Sequence, residues 1–273
     1  MFRFTKMHGA GNDFIVVHDP DRTFPTAPDF VARLCAPHTG IACDGLILLR
    51  PPSDPAAADF RMVFVNPDGS PAGMCGNGAR CAARCAWEEG MAPASMRIET
   101  GAGIHRAEIL PDGLVRIGFP DLSSKPEPFL VEAPDGAPLR GHFLNTGVPH
   151  AVVPVTSESL PSLDVKTLGS HLRRHRHFAP AGTNVDFIAP PTAPGAPVSI
   201  RTYERGVEDE TLACGTGIVA AARVAALLGW TPPPVTVRTV AGDLLHVDWP
   251  PLSLTGPTAT VVTGTLDLSL FFA

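Results

Sequence analysis

The sequence predicts an α+β fold of two pseudo-symmetric lobes, each a curved, barrel-like β-sheet around a central helix, with the active site in the cleft between them. Three observations lead there. Met74-Cys75-Gly76-Asn77-Gly78 and Ala213-Cys214-Gly215-Thr216-Gly217 repeat one pattern, a cysteine heading a Gly-x-Gly turn that runs into an Ala-rich stretch. The two segments occupy corresponding places in the two halves of the chain, each preceded and followed by strands. Elsewhere, short apolar runs bounded by Gly, Pro, Asp or Asn dominate, which is the grammar of strands and turns.

The apolar runs fall at 14–17, 45–49, 61–65, 96–99, 114–119, 150–155, 185–189, 198–203, 235–240 and 244–249. Helical stretches are fewer: 29–35, 75–89, 163–175 and 214–228. Pro28 stands just ahead of the first, and Trp230 with the prolines at 232–234 closes the last. The segment 123–128 reads as a linker, and the Pro-rich 190–195 as a hairpin loop. The expected lobes are residues 1–119 with 257–273, carrying Cys75, and residues 120–256, carrying Cys214.

At 273 residues the chain is long enough for one large domain or two ordinary ones. Its net charge of −6 argues against nucleic acid as a partner. The one basic run, from His171 to His177, reads as a solvated face. No window approaches the length of a membrane span, and the N-terminus lacks the apolar core of a secretion signal. Six cysteines at irregular spacing do not form a disulfide framework, so a reduced, cytoplasmic protein is expected. Cys81 and Cys85 share a helix face, but no C-x-x-C pair or nearby histidine completes a metal set, and core packing is the better reading.

A cysteine at a helix N-terminus lies among unpaired backbone N–H groups, at the positive end of the helix dipole. That setting lowers a thiol pKa toward neutrality, and glycines there let an anion approach the bare amides. Either motif alone could be an ordinary turn with a buried cysteine; the matched pair points to two activated thiols and one carboxylate-bearing substrate. Two opposed acid/base groups are what inversion of a stereocentre needs. Pyridoxal phosphate would require a Schiff-base lysine, and Lys6, Lys125 and Lys166, the only lysines, lie in no phosphate-binding context. Gly9-Ala10-Gly11 lacks the third glycine of a dinucleotide fingerprint. No cofactor and no metal is therefore expected.

With these residues in view, the chain resembles the diaminopimelate epimerase family over essentially its whole length. The resemblance is carried by 6–14 (KMHGAGNDF), 66–70 (NPDGS), 75–81 (CGNGARC), Pro149-His150, Gly182-Thr183-Asn184, and Tyr203-Glu204-Arg205-Gly206 leading to Ala213-Cys214-Gly215-Thr216-Gly217. It implies cofactor-independent interconversion of LL- and meso-diaminopimelate, in lysine and cell-wall precursor biosynthesis, with Cys75 and Cys214 as the acid/base pair. It further implies that Gly76, Asn77, Gly215 and Thr216 hold the reacting carboxylate through backbone amides. Asn12, His150 and Glu204 would sit near the reacting amino group, and Asn66, Asn184 and Arg205 would read the distal end. Two positions depart from the family pattern: Val148 stands where some members have an asparagine, and Gly45 where some have a glutamine. Asn145 or Thr146 is a candidate to supply the hydrogen bond that the Val148 side chain cannot make.

The nearest rival is a racemase of proline, hydroxyproline or histidine on the same fold; Asn77 and the Glu204–Arg205 pair favour a substrate with a second charged end. Isomerases with carboxylates in place of the cysteines are disfavoured by Cys75 and Cys214, and a thiol redox or metal-binding protein by the absence of C-x-x-C. The expected partner is thus a small molecule, not nucleic acid or membrane, and a homodimer is left open.

Overall fold

The computed structural model describes residues 1–122 and 124–271; Ser123, inside the expected 123–128 linker, lies outside the described residues. The chain divides into two compact units, Met1–Phe119 with Thr255–Ala273, and Pro120–Leu254.

In the first unit, β1 (Phe2–Gly9) and β2 (Asn12–His18) form an antiparallel hairpin. Its two-residue turn places Ala10 and Gly11 at positive φ, 56° and 85°, the backbone that matches strand twist. After α1 (Pro28–Cys35), β3 (Leu46–Arg50) runs parallel to β2, and β4 (Phe60–Val65) returns antiparallel. The short β5 (Pro71–Ala72) folds back on β4 and delivers the chain to α2 (Gly76–Glu88). Then β6 (Ser95–Thr100) pairs parallel with β4, followed by antiparallel β7 (Gly103–Ile109) and β8 (Val115–Gly118). The C-terminal strand Ala259–Leu266 pairs with the free side of β1.

The sheet has a core on each face. Along β3, Ile47 and Leu49 pack with Phe14, Val16 and Phe60 around α2, while Leu46 and Leu48 pack with Ile15, Val17 and the buried face of α1. This is the alternation a strand covered on both sides demands. Helix α2 touches β1, β2, β3, β4, β7 and β8, so it is the central helix of its sheet. Ala79, Ala82, Ala83 and Ala86 are buried there, their small side chains letting the helix lie close to the strands. Cys81 and Cys85 belong to the same core. Burial pushes both thiols up, Cys85 to about 12 with help from Glu89 and Glu88.

The second unit repeats the plan. An antiparallel set of β9 (Glu127–Glu132), β10 (Pro138–Asn145) and β11 (Pro149–Pro154) leads through α3 (Val165–Arg173) to β12 (Asn184–Ala189), parallel to β11. Antiparallel β13 (Val198–Glu204) and its hairpin partner β14 (Asp209–Thr211) deliver the chain to α4 (Gly215–Leu227). Finally β15 (Val235–Arg238) runs parallel to β13, with β16 (Leu244–Asp248) antiparallel beside it. Helix α4 packs on β10, β11, β12, β13, β15 and β16, as α2 packs in the first unit. The Pro-rich 190–195 joins β12 to β13. On the basic run, Arg173 and Arg174 pair with Glu208 at 2.9 and 3.0 Å.

Both α2 and α4 begin one residue after their cysteine. Strands β1, β7, β9 and β10 and the C-terminal strand were not evident in the sequence. Charged or polar side chains interrupt β1, β7 and β10, and the C-terminal strand exposes all but two of its residues.

Candidate active site

Cys75 and Cys214 hold the same structural office. Each is the residue just before its central helix, in extended backbone, and its carbonyl accepts the first intrahelical bond, from Ala79 and Ile218 respectively. At Cys75 the sulfur also accepts from the Gly78 amide at 3.4 Å. A thiolate there would be held by an N–H that the helix leaves unpaired.

The surroundings of the two thiols differ. In the first unit Asn12, in β2 beside the β-turn, carries its Oδ1 3.8 Å from Cys75 Sγ and 3.2 Å from Asn77 Nδ2. Asn77 Oδ1 accepts from Arg80 Nη2 at 2.9 Å, and Arg80 Nη1 reaches Gly76 O at 3.4 Å. At the other end Asn12 Nδ2 donates to Asp44 Oδ2 at 2.6 Å. Both asparagine amides are thereby fixed in orientation, from a buried guanidinium on one side and a carboxylate on the other. Lys6 and Asp13 of the same motif pair with each other at 2.8 Å.

In the second unit Cys214 Sγ lies 3.4 Å from the Thr216 hydroxyl, and that hydroxyl lies 2.9 Å from His150 Nε2. His150 Nδ1 meets Asp186 Oδ2 at 2.7 Å, and Thr202 donates to Asp186 Oδ1 at 2.8 Å. His150 and Asp186 have no exposed surface. The expectation that both thiols are activated toward neutrality needs correcting here. Burial, then the carboxylates of Glu204 and Asp186, hold the Cys214 thiol well above its ordinary pKa, outweighing the Thr216 hydroxyl and the Gly217 amide.

The structure thus brings Asn12, Asn77 and Cys75 together, and separately His150, Thr216 and Cys214. The residues expected at the distal end are more loosely gathered. Asn184 donates to Pro149 O at 3.0 Å and accepts from the Arg205 amide at 2.8 Å, so it fixes the start of the turn that carries Arg205. Arg205 is half-buried, and its guanidinium reaches Ala181 O at 3.2 Å at an exposed contact. Glu204 accepts from Thr211 at 3.0 Å across the β13–β14 hairpin. Asn66 sits in the β4–β5 turn, its amide on the Ser70 hydroxyl at 3.0 Å, and contacts none of the other expected residues among the hydrogen bonds described. Gly215 and Gly76 are the first residues of their helices.

The departure at Gly45 has a local physical reason. A Cβ at Gly45 would lie 2.6 Å from Phe64 Cε2 and 2.8 Å from Val65 O, so this backbone excludes a glutamine. Near Val148, Thr146 is turned inward and donates to Thr216 O at 3.1 Å, while Asn145 Oδ1 accepts the Gly147 amide at 2.9 Å. Both are engaged in holding the loop and the start of α4.

Asp44, Arg80 and Asp186 were missed in the sequence. Arg80 follows Asn77 by three residues, about one helical turn, which was the available signal. Asp186 alternates with Val185 and Phe187, which pack toward α3, and so belongs to the α4 face.

Each unit is thus a sheet around a central helix with a cysteine just before that helix, a duplicated frame that solved racemase and epimerase structures share as a fold. The solved structure of a probable proline racemase from Agrobacterium radiobacter K84 has this fold, at a TM-score of 0.69 and 16% identity, covering 98% of this chain and 93% of that one. The chain belongs to the diaminopimelate epimerase family, whose family model matches residues 4–122 and 142–250. Diaminopimelate epimerase of Aquifex aeolicus is 45% identical over 258 residues, spanning 90% of this chain and 89% of its own length. That of Hydrogenobaculum sp. is 40% identical over 278 residues, spanning 98% and 99%. No helix among the described residues is long and apolar enough to cross a membrane.

Proposed function

We propose that this protein interconverts LL- and meso-diaminopimelate without a cofactor, in the cytoplasm, on the route to lysine and cell-wall precursors. Cys75 and Cys214 are the acid/base pair. In each direction one thiolate takes the α-hydrogen as a proton, forming S–H as C–H breaks. The other thiol gives its proton to the opposite face of the carbanion and is left as thiolate. One turnover therefore exchanges the protonation states of the two sulfurs, which readies the enzyme for the reverse isomer.

The observation that carries this reading is the equivalence of the two cysteines, each placed just before the central helix of one copy of the same fold. Amides at Gly76, Asn77, Gly215 and Thr216 would hold the reacting carboxylate and stabilise the developing negative charge. The upward shift at Cys214 suits a group that begins a half-reaction as a proton donor. Asn12 and Glu204 would receive the reacting ammonium, with His150 acting from beneath Thr216. Arg205, with Asn184 and Asn66, would read the distal amino acid end through its planar fork.

The test is incubation of purified enzyme with LL-diaminopimelate in D2O. Product formed at early times should carry deuterium at the inverted centre while unreacted substrate keeps its hydrogen. Return of the original hydrogen to product, or full inversion by Cys75→Ala or Cys214→Ala, overturns the two-thiol scheme. Equal turnover of proline or histidine overturns the substrate.

A further inference from the structure

The two copies support their thiols on different floors. Strand pairing makes the correspondence explicit: Ile47 faces Phe64 across β3–β4, and Asp186 faces Thr202 across β12–β13. Ile47 lies beneath the third residue of α2, where a Cβ on Gly78 would meet its Cδ1 at 3.1 Å. Asp186 lies beneath the third residue of α4, where a Cβ on Gly217 would come 2.5 Å from its Oδ1 and 3.3 Å from His150 Cε1. By the same register His150 stands where the first copy has Phe14. Phe14, Ile47 and Phe64 of one copy are replaced by His150, Asp186 and Thr202 of the other. An apolar floor is enough to seat the helix, so fold alone does not call for a buried carboxylate there.

With a neutral His150, the hydrogen bonds of the second floor run in one direction, set from the Asp186 end. A carboxylate only accepts; Thr202 donates to Oδ1, and His150 Nδ1–H therefore donates to Oδ2. In the neutral imidazole Nε2 is then the acceptor, and the single hydrogen of the Thr216 hydroxyl points to it at 2.9 Å. A lone pair of Thr216 Oγ1 then faces the Cys214 S–H at 3.4 Å.

We propose that Asp186 is a positioning residue for the reaction: it fixes the Nδ1-protonated form of His150, so that Thr216 and His150 form a one-way relay for the Cys214 proton. The inference rests on the role proposed above for Cys214. In the relay the Cys214 S–H bond breaks and its proton passes to Thr216 Oγ1. The proton already on Oγ1 passes to His150 Nε2. The products are a thiolate and an imidazolium whose charge is balanced by the Asp186 carboxylate, with no other reactant needed. This gives the buried Cys214 thiol a route to ionisation that its surroundings otherwise oppose.

Two effects of Asp186 on Cys214 have opposite sign, which makes the proposal testable without substrate. Through space its charge disfavours the thiolate; through the relay it favours it. Wild type, Asp186→Asn and Thr216→Val are treated with iodoacetamide at pH 8, and labelling of Cys75 and Cys214 is followed by peptide mass spectrometry. The expected result is at least tenfold slower labelling of Cys214 in both variants, with Cys75 unchanged within twofold, and recovery in Thr216→Ser. Equal or faster labelling of Cys214 in Asp186→Asn overturns the relay. Kinetics with LL-diaminopimelate should show kcat reduced about 100-fold or more in Asp186→Asn with KM altered less than threefold; a matched rise in KM at unchanged kcat overturns the assignment. Thermal melting of each variant separates misfolding from relay failure, since Thr216→Val leaves the His150–Asp186 pair intact. Wild-type enzyme inactive on diaminopimelate would retire the substrate assignment while the labelling result still decides the relay.

Discussion

Arg80 Nη2 donates to Asn77 Oδ1 at 2.9 Å from a side chain with no exposed surface. The cation is thus spent on fixing the Asn77 amide, whose Nδ2 faces Asn12 and, through it, Cys75. Arg80→Met should cost about 1–3 kcal/mol through the amide oxygen left unsatisfied. It should also lower kcat more than the equivalent loss of stability explains. Arg80→Lys should not restore activity, because an ammonium cannot span Asn77 and Gly76 as the fork does. Chemical denaturation and steady-state kinetics measure both; activity within twofold of wild type refutes the positioning.

Gly78→Ala and Gly217→Ala are matched substitutions with different expected outcomes. At Gly78 the new methyl meets the mobile ends of Ile47 and Met62 at 3.1 and 3.3 Å, and alanine is the better helix former. At Gly217 it meets the Asp186 carboxylate at 2.5 Å, inside the hydrogen-bonded floor. Gly78→Ala should stay within about 1 kcal/mol of wild type, whereas Gly217→Ala should lose about 1–3 kcal/mol and most activity. Parallel melting curves and assays give the comparison, and equal behaviour contradicts it.

Alkaline pH should destabilise the fold through its buried thiols. Cys85 is raised to about 12 in the folded chain, and Cys81 is raised further by burial. A thiol whose folded pKa is raised binds its proton longer in the native state. Its stabilisation is complete below the unfolded value near 9 and is lost as pH rises toward the folded value. Each thiol contributes a slope of about 1.4 kcal/mol per pH unit across that window. Urea denaturation between pH 8 and 11 should show this slope, and Cys85→Ala should be less steep while starting from lower stability. An unchanged slope in the variant excludes Cys85 as a source.

Glu204 is, after burial, the largest influence holding the Cys214 thiol up. Glu204→Gln should therefore label faster at Cys214 with iodoacetamide at pH 8, by about threefold or more. The direction is opposite to that expected for Asp186→Asn. Slower labelling would mean that Glu204 acts on Cys214 by another route.

The Arg205 amide is anchored by Asn184 Oδ1 at 2.8 Å. Arg205→Met should raise the transition-state barrier by about 2–5 kcal/mol if its guanidinium binds the distal carboxylate. Asn184→Ala should reproduce part of that effect and also cost about 1–3 kcal/mol of stability, through the Pro149 carbonyl and Arg205 amide that it leaves unpaired. Kinetics with diaminopimelate decide the matter, and a barrier change below about 0.5 kcal/mol in Arg205→Met removes it from the distal end.

Helices α2 and α4 were legible because their signals are local: a cysteine, two glycines and a run of alanines. The cluster of Asn12, Asn77 and Cys75 was legible only through a family resemblance, since the three come together by sheet pairing. Asp186 was not legible. In the run from Asn184 to Ala189, a single acidic residue in an apolar strand reads as pointing to water. Here β12 is covered on both faces, by α3 and α4, so every residue of the strand is buried. Arg80 escaped for a related reason, because an arginine on a short helix is ordinarily a solvated residue. The Cys214 thiol was misjudged because a helix terminus is visible in sequence, while burial and facing carboxylates belong to the tertiary structure.

The duplicated halves also have a history written into their floors. A buried histidine facing a buried aspartate is tolerable only as a complete pair, and removal of either partner strands the other without a mate. Replacing both by the residues of the sister copy, His150→Phe together with Asp186→Ile, would restore an apolar seat for α4 and offset much of the cost of either single change. The polar and apolar floors are therefore two self-consistent arrangements, and each single replacement between them passes through a destabilised form. Passage from one floor to the other needs paired substitution, so the difference between the two copies at these positions is held by packing as well as by chemistry.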